Sequence, residues 1–264
     1  MIQPVDVEKL TPHESIVQLE SVTVSFDGFK ALNDLTFFVE VGELRVVIGP
    51  NGAGKTTLID VISGKVKPSK GRVVFARDID LDQLCDYEIS NLGIGRKFQT
   101  PTVFEKHTVR ENLELSMKGD RRVWATLFSK PSASDREKID STLERTGLRD
   151  RASWKAALLS HGQKQWLEIG MLMMQDPKLL LLDEPVAGMS DEETAKTGEL
   201  IRSIAQDRSV MVIEHDMEFV RSLGSKVSVL HEGRILCEGS MDKVQNDSRV
   251  IEVYLGRDSA KGNA

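Results

Sequence analysis

Apolar residues along this chain follow three rhythms. Ile16–Phe26 (IVQLESVTVSF) and Leu32–Glu40 alternate in part between apolar and polar, which predicts two half-buried strands with Asp27-Gly28 turning between them. Short unbroken apolar runs predict strands buried on both faces: Val46–Ile48, the four leucines of Lys178–Pro185 (KLLLLDEP), and Ser209–Glu214 (SVMVIE). Arg72–Phe75 and the start of Ile94–Gln99 read as further short strands, and Lys226–His231 with Arg234–Glu238 as a hairpin turning at Glu232-Gly233. Between residues 108 and 158 strand signals stop and helical spacing takes over. Its apolar positions are Val109, Leu113 and Met117, then Val123, Trp124, Leu127 and Phe128, then Ile139 and Leu143. Ser129–Ser134, with Pro131, reads as a linker inside that region, and Asp135 as the cap of the helix after it.

These rhythms describe an α/β fold with a mixed, largely parallel sheet, an antiparallel β part and an inserted helical subdomain at about residues 100–165. Residues 1–14 read as a loose leader, 15–256 as the domain, and 257–264 as a frayed tail after a short helix around Ser248–Leu255. The Trp124/Phe128 face suits the core of the insertion; a docking surface for another chain is the alternative.

Composition narrows the function by exclusion. A formal charge of −6 gives no support for a nucleic-acid partner. Cys85 and Cys237 lie far apart without metal-ligand spacing and read as reduced, intracellular thiols. The N-terminal stretch carries acids and no apolar core, unlike a signal peptide. No apolar run approaches the roughly 18 residues a membrane span needs, so work at a membrane would go through a partner.

The strongest chemical signal is Leu44–Asp60, LRVVIGPNGAGKTTLID. A buried strand feeds a turn of Gly49, Pro50, Asn51, Gly52, Ala53 and Gly54, and a helix begins at Lys55, Thr56 and Thr57. The match to G-x-x-x-x-G-K-[ST] has a physical reason at each position. The glycines let several backbone N–H groups turn towards one anion, and the helix start adds a favourable dipole. Lys55 suits the terminal phosphates, and the Thr56 hydroxyl suits Mg²⁺.

Other residues gather meaning around that cradle. Asp183 and Glu184 close the leucine run at the strand edge where α/β sheets bind ligands. Neighbouring carboxylates on a strand point to opposite sides, so Asp183 suits Mg²⁺ and Glu184 the attacking water. His215 ends the next buried strand, as a structural residue or as a phosphate contact. Phe26 is either an adenine platform or a core ring at a strand end. Gln99 offers a carbonyl oxygen to a metal or water, or is a solvated loop amide. Leu159–Gln163 (LSHGQ) starts a helix, with Ser160 as cap and Gly162 allowing close backbone approach. Ser160, Gly162 and Gln163 read either as a second anion-binding element or as a plain cap.

Taken together, these segments resemble the ATP-binding subunit of ABC transporters over roughly residues 16–256. GPNGAGKT matches the family's phosphate loop and KLLLLDEP its acidic strand. Gln99 matches the nucleotide-sensing glutamine, LSHGQ the signature, His215 the switch histidine and Phe26 the adenine-stacking aromatic. RKFQTPTVFEKHTVRENL and RVIEVYLG resemble the branched-chain amino acid transporter branch. SHGQKQWLEIGMLMMQDP, DEPVAGMSDEET and EHDMEFVRS resemble the urea-transporter ATPase. Two departures stand out: His161 replaces a signature glycine, and Ser190 aligns with the aspartate usual after the acidic strand.

The resemblance implies a P-loop ATPase using ATP and Mg²⁺, peripheral to the cytoplasmic side of a membrane. Its implied partners are permease subunits, a second ATPase subunit and, indirectly, an extracytoplasmic solute-binding protein. LSHGQ of one subunit would close on ATP held by the other. The expected cargo is urea, with branched-chain or other amino acids as the alternative. Soluble ABC proteins of DNA repair or translation are a further class, disfavoured by one compact cassette. A binding module with dead nucleotide sites is opposed by intact Lys55, Asp183 and Glu184.

Overall fold

The computed structural model describes residues 11, 14–97, 102–117 and 132–261, with side chains through residue 254. The expected helical turns around Val123–Phe128, residues 129–131 of the expected linker, and Gln99 lie outside the described residues. The rest of that linker opens the helix Ala133–Arg145, whose N-cap is Ser132 rather than Asp135, because the Ser132 hydroxyl accepts the Asp135 N–H in a capping box.

Two sheets carry the fold. Strands β1 (Ser15–Phe26), β2 (Phe29–Glu40), β4 (Lys70–Phe75) and β5 (Ile79–Asp80) form an antiparallel sheet in the order β2-β1-β4-β5. The second sheet has the order β10-β9-β3-β8-β7-β6. Its strands are β3 (Leu44–Ile48), β6 (Ile94–Lys97), β7 (Leu179–Asp183), β8 (Ser209–Ile213), β9 (Lys226–His231) and β10 (Arg234–Gly239). All its pairs are parallel except the β9–β10 hairpin.

Helices α1 (Lys55–Ile62), α2 (Asp86–Leu92), α3 (Val109–Leu115), α4 (Ala133–Arg145) and α5 (His161–Met174) precede β7. After it come α6 (Asp191–Ile204), α7 (Met217–Leu223), α8 (Met241–Gln245) and α9 (Ser248–Lys261).

Strand alternation decides where each side chain goes. Val46, Leu180, Leu182, Val210 and Val212 join the core that Leu113, Leu143, Trp166, Leu167 and Ile201 build from the helices. Val47, Leu179, Leu181, Met211 and Ile213 join the opposite core, with α1 and the antiparallel sheet. The four leucines thus divide two and two, the two-sided burial expected of a central parallel strand. Among the described residues of the helical insertion, Val109, Ile139 and Leu143 belong to the same apolar cluster as the sheet face.

Several elements differ from the sequence expectation. Strand β2 begins at Phe29 rather than Leu32, because a two-residue turn at Asp27 (φ 48°) and Gly28 (φ 88°) pairs Phe26 directly with Phe29. Helices α2, α6, α7 and α8 lie outside the sequence expectation; α2, α7 and α8 run only five to seven residues, too short to show a helical period. The closing helix runs to Lys261 instead of ending near Leu255, since no proline interrupts it. After α4 the insertion is not purely helical: an isolated bridge pairs Thr108 with Lys155.

Candidate functional site: a phosphate cradle at the sheet edge

Strand β3 lies between β8 and β9 and releases the chain at the carboxyl edge of the sheet. There the backbone makes turns that only glycine adopts cheaply. A Cβ at Gly49 would lie 2.2 Å from the Leu230 carbonyl oxygen, and one at Gly54 2.3 Å from that of Ala31. Gly54, with φ 105°, is the N-cap of α1 and provides no side-chain cap. The helix start is therefore left to other acceptors. Lys55 is buried, and its Nζ donates to the carbonyls of Gly49 (2.6 Å) and Pro50 (3.1 Å), folding back across the loop. Asn51, Gly52 and Thr56 are exposed at the mouth, Thr57 half-buried behind them, and Ala53 packed beneath.

The floor of this loop is pinned from a direction the sequence did not reveal. Gly233, in the β9–β10 turn, donates its N–H to Ala53 O (2.9 Å) and accepts from Asn33 N (3.0 Å). A Cβ there would sit 2.7 Å from Ala31 O. The Glu232-Gly233 pair is thus a hairpin turn and also a backbone clamp between the cradle and β2.

Beside the cradle, β7 ends in Asp183, which is 2% exposed. Burial pushes its carboxyl above the usual range, against the lowering effect of Arg96. Among the described residues nothing donates to its Oδ1. Glu184 turns away with φ 47°, a left-handed conformation costly for a non-glycine residue, held by its N–H bond to Ile213 O (3.0 Å). The neighbouring acids are therefore separated, one buried and one facing water. His215 Nδ1 is 3.4 Å from Glu184 Oε1. Beneath it, buried Glu214 accepts backbone N–H groups of His215 (2.9 Å), Asp216 (3.4 Å) and Val186 (3.4 Å). Sequence reading passed over Glu214, although its place in the SVMVIE strand end marked it.

Thr56 and the orphaned Asp183 oxygen suit Mg²⁺, which takes one or two protein oxygens and fills its shell with phosphate oxygens and water. No group of three or more His, Cys, Asp or Glu gathers as a metal cage among the described residues. Gln99 lies outside the described residues. Phe26 is 47% exposed at the β1–β2 hairpin end, so it is not a core ring.

The LSHGQ segment is built differently. Ser160 caps α5: its Oγ accepts Gln163 N–H (3.3 Å) while its own N–H donates to Gln163 Oε1 (3.1 Å). The amide of Gln165 lies between His161 Nε2 (2.8 Å) and Ala187 O (3.3 Å). His161 therefore ties the helix start to the loop after β7. Ser190 has a job of its own: it caps α6 in a capping box with Glu193. About two turns further along each helix, Trp166 Nε1 donates to Thr197 Oγ1 (2.8 Å), locking α5 to α6.

Another buried charge went unread. Lys97 is fully buried 3.8 Å from Glu168 of α5, and Glu168 also accepts from Thr102 N–H (3.2 Å) and Oγ1 (3.0 Å). Burial lowers the Lys97 ammonium and raises the Glu168 carboxyl. A lysine inside GIGRKFQ gives no periodic signal of its own, so only the fold shows its partner.

Known proteins share this architecture along the chain. The family description "ABC transporter" matches residues 32–187, and "Branched-chain amino acid ATP-binding cassette transporter" matches residues 234–260. The chain is similar to the high-affinity branched-chain amino acid transport ATP-binding protein LivG of Escherichia coli (strain K12), at 32% identity over 92% of this chain and 98% of the relative. It is 35% identical to the probable branched-chain amino acid transport ATP-binding protein LivG of Archaeoglobus fulgidus, over 91% and 95%. The ADP conformation of MJ1267, an ATP-binding cassette of an ABC transporter, superposes with a TM-score of 0.77 at 32% identity, covering 92% of this chain and 99% of that one. These relatives carry the branched-chain description, the alternative of the sequence reading rather than urea. The chain belongs to the ATP-binding, ATP-hydrolysing subunits of ABC transporters, within the branched-chain amino acid type.

Proposed function

We propose that this chain powers solute import by binding ATP between two ATPase subunits and hydrolysing it. The observation that carries the reading is one edge of one sheet, where the Lys55 loop, Asp183, Glu184 and His215 converge beneath a helix start without a side-chain cap. In this reading the backbone N–H groups of residues 49–54 and Lys55 hold the β- and γ-phosphates. Thr56, Asp183 and Gln99 hold Mg²⁺, which when bound neutralises charge on those phosphates. Glu184 takes the proton of the attacking water, His215 contacts the γ-phosphate, and Phe26 stacks on adenine. Ser160, Gly162 and Gln163 meet the γ-phosphate of the partner subunit's ATP.

Among the described residues no helix is long and apolar enough to cross a membrane, so permease subunits supply the pore in this reading. An exposed apolar group supports their docking: Phe104, Trp154 and Leu158 are 50%, 45% and 68% exposed on segments joined by the Ala157 N–Glu105 O hydrogen bond. The similarity to branched-chain relatives makes a branched-chain amino acid the leading cargo. Urea is the second reading, favoured by SHGQKQWLEIG and VAGMSDEET.

The test is a complex reconstituted with its permeases and solute-binding protein. Leucine should stimulate ATP hydrolysis, and Lys55→Ala should abolish it. Stimulation by urea and not by leucine would replace the leading cargo with the second. Activity of Lys55→Ala close to wild type would sink the assignment of the cradle.

A further inference from the structure

The first turn of α6 brings an anion, Glu193, against the start of the LSHGQ helix. Ser160 Oγ donates to Glu193 Oε1 at 2.9 Å. The same carboxylate accepts from Ser190 N–H (3.2 Å) and Ser190 Oγ (3.4 Å). It presses against the helix start so closely that a Cβ at Gly162 would lie 2.6 Å from it. Hydrogen bonds from Ser190 and then Ser160 hold the Glu193 carboxyl below the usual carboxylate range, so it is charged at neutral pH. The contact is also rigidly presented, because the Trp166–Thr197 bond joins the two helices one to two turns deeper.

We propose that Glu193 is a built-in placeholder anion on the signature helix: it occupies the Ser160 hydroxyl in the separate subunit and must release it before that helix start accepts the partner's ATP. The inference rests on the reading that Ser160 and Gly162 meet the γ-phosphate across a subunit interface. A carboxylate as a capping-box residue accounts for the bonds to Ser190 alone. It does not account for the bond to Ser160, whose hydroxyl already accepts from Gln163 N–H and is left a single proton to donate. That proton goes to Glu193, and a phosphate oxygen needs the same one. The carboxylate also places a negative charge beside the positive helix end to which a multiply charged phosphate would bind, so the two compete by hydrogen bond and by charge. Glu193 acts through Ser160 and sets how much Mg–ATP is needed to close two subunits.

The experiment uses the full chain in a Glu184→Gln background, in which hydrolysis does not reopen the dimer. Dimer fraction is followed by sedimentation velocity against Mg–ATP concentration, at fixed protein and with the permeases as a second arm. Glu193→Gln keeps the shape and the Ser190 cap but removes the charge. It should lower the Mg–ATP midpoint by about threefold to fivefold. Glu192→Gln is the control: it removes the same charge one residue away, where the side chain pairs with Lys196 at the surface. Its midpoint should match the parent's. Ser190→Ala, which weakens the cap and leaves the Ser160 bond in place, should not lower the midpoint; a lowering equal to that of Glu193→Gln would assign the effect to capping and overturn the proposal. A parent that dimerises while Glu193→Gln and Glu192→Gln share one midpoint overturns the placeholder alone. A parent that never dimerises in either arm overturns the two-subunit reading and the placeholder with it.

Discussion

Two helix starts in this molecule are proposed anion sites, and they are finished in opposite ways. Helix α1 begins at a left-handed glycine with no side-chain cap, and its nearest cation, Lys55, folds back over the loop carbonyls. Helix α5 begins at Ser160 with a complete capping box and a carboxylate from α6 already on its hydroxyl. The first has no side-chain cap, and in the proposed function its N–H groups hold the ligand with acids for chemistry beside them. The second satisfies itself within one chain. A helix end left open by its own sequence implies a ligand held by that chain, whereas a satisfied end must be unpicked before it takes one.

Four substitutions sharpen or break this contrast. Glu184→Gln acts at the open end, and its expected effect is the largest. Losing a positioned base should slow hydrolysis by about 10²–10⁴-fold, or roughly 3–5 kcal/mol of barrier, while ATP binding survives. Turnover at the wild-type rate in the purified protein would remove Glu184 from the base role.

Glu168→Gln separates the two ends instead. The Lys97–Glu168 pair ties α5 to β6, beside the acidic edge, and both partners are buried. Removing the Glu168 charge beside buried Lys97 should cost about 3 kcal/mol in urea unfolding, and adding Lys97→Met should recover part of it. An unfolding midpoint equal to wild type for the single variant would show that the pair does not hold the helix to the strand.

Phe26→Ala tests whether the open end extends to the base of the nucleotide. An exposed ring stacking on adenine is worth about 1 kcal/mol, so ATP should bind roughly fivefold more weakly, and Phe26→Trp should bind normally. Unchanged affinity in the alanine variant, measured by fluorescent-nucleotide titration, would leave the exposed ring unexplained.

The smallest change is expected for His161→Gly at the satisfied end. His161 contacts Gln165 and the loop at Ala187, not the bond between Ser160 and Glu193. ATPase activity should stay within about twofold of wild type, with a stability loss of about 1 kcal/mol from a glycine in the first turn. Complete loss of turnover with nucleotide binding intact would give the imidazole a role in the reaction.

What the sequence determined by itself was local. The glycine spacing of GPNGAGKT, the leucine run before Asp183 and the Ser160 cap each depend on a few consecutive residues, whose sterics and periodicity are the same in any fold. The strands either side of Asp27-Gly28 were legible for the same reason, though not the first residues of β2, because the pairing of Phe26 with Phe29 depends on the turn type. Only the tertiary structure decided which distant groups meet. Gly233 beneath Ala53, Glu168 against Lys97 and Glu193 on Ser160 join residues 180, 71 and 33 positions apart. Each partner is an ordinary residue in its own segment. Burial, charge and a shared hydrogen give these residues their meaning only once the chain has brought them within reach, and no pattern along one strand or helix encodes that distance.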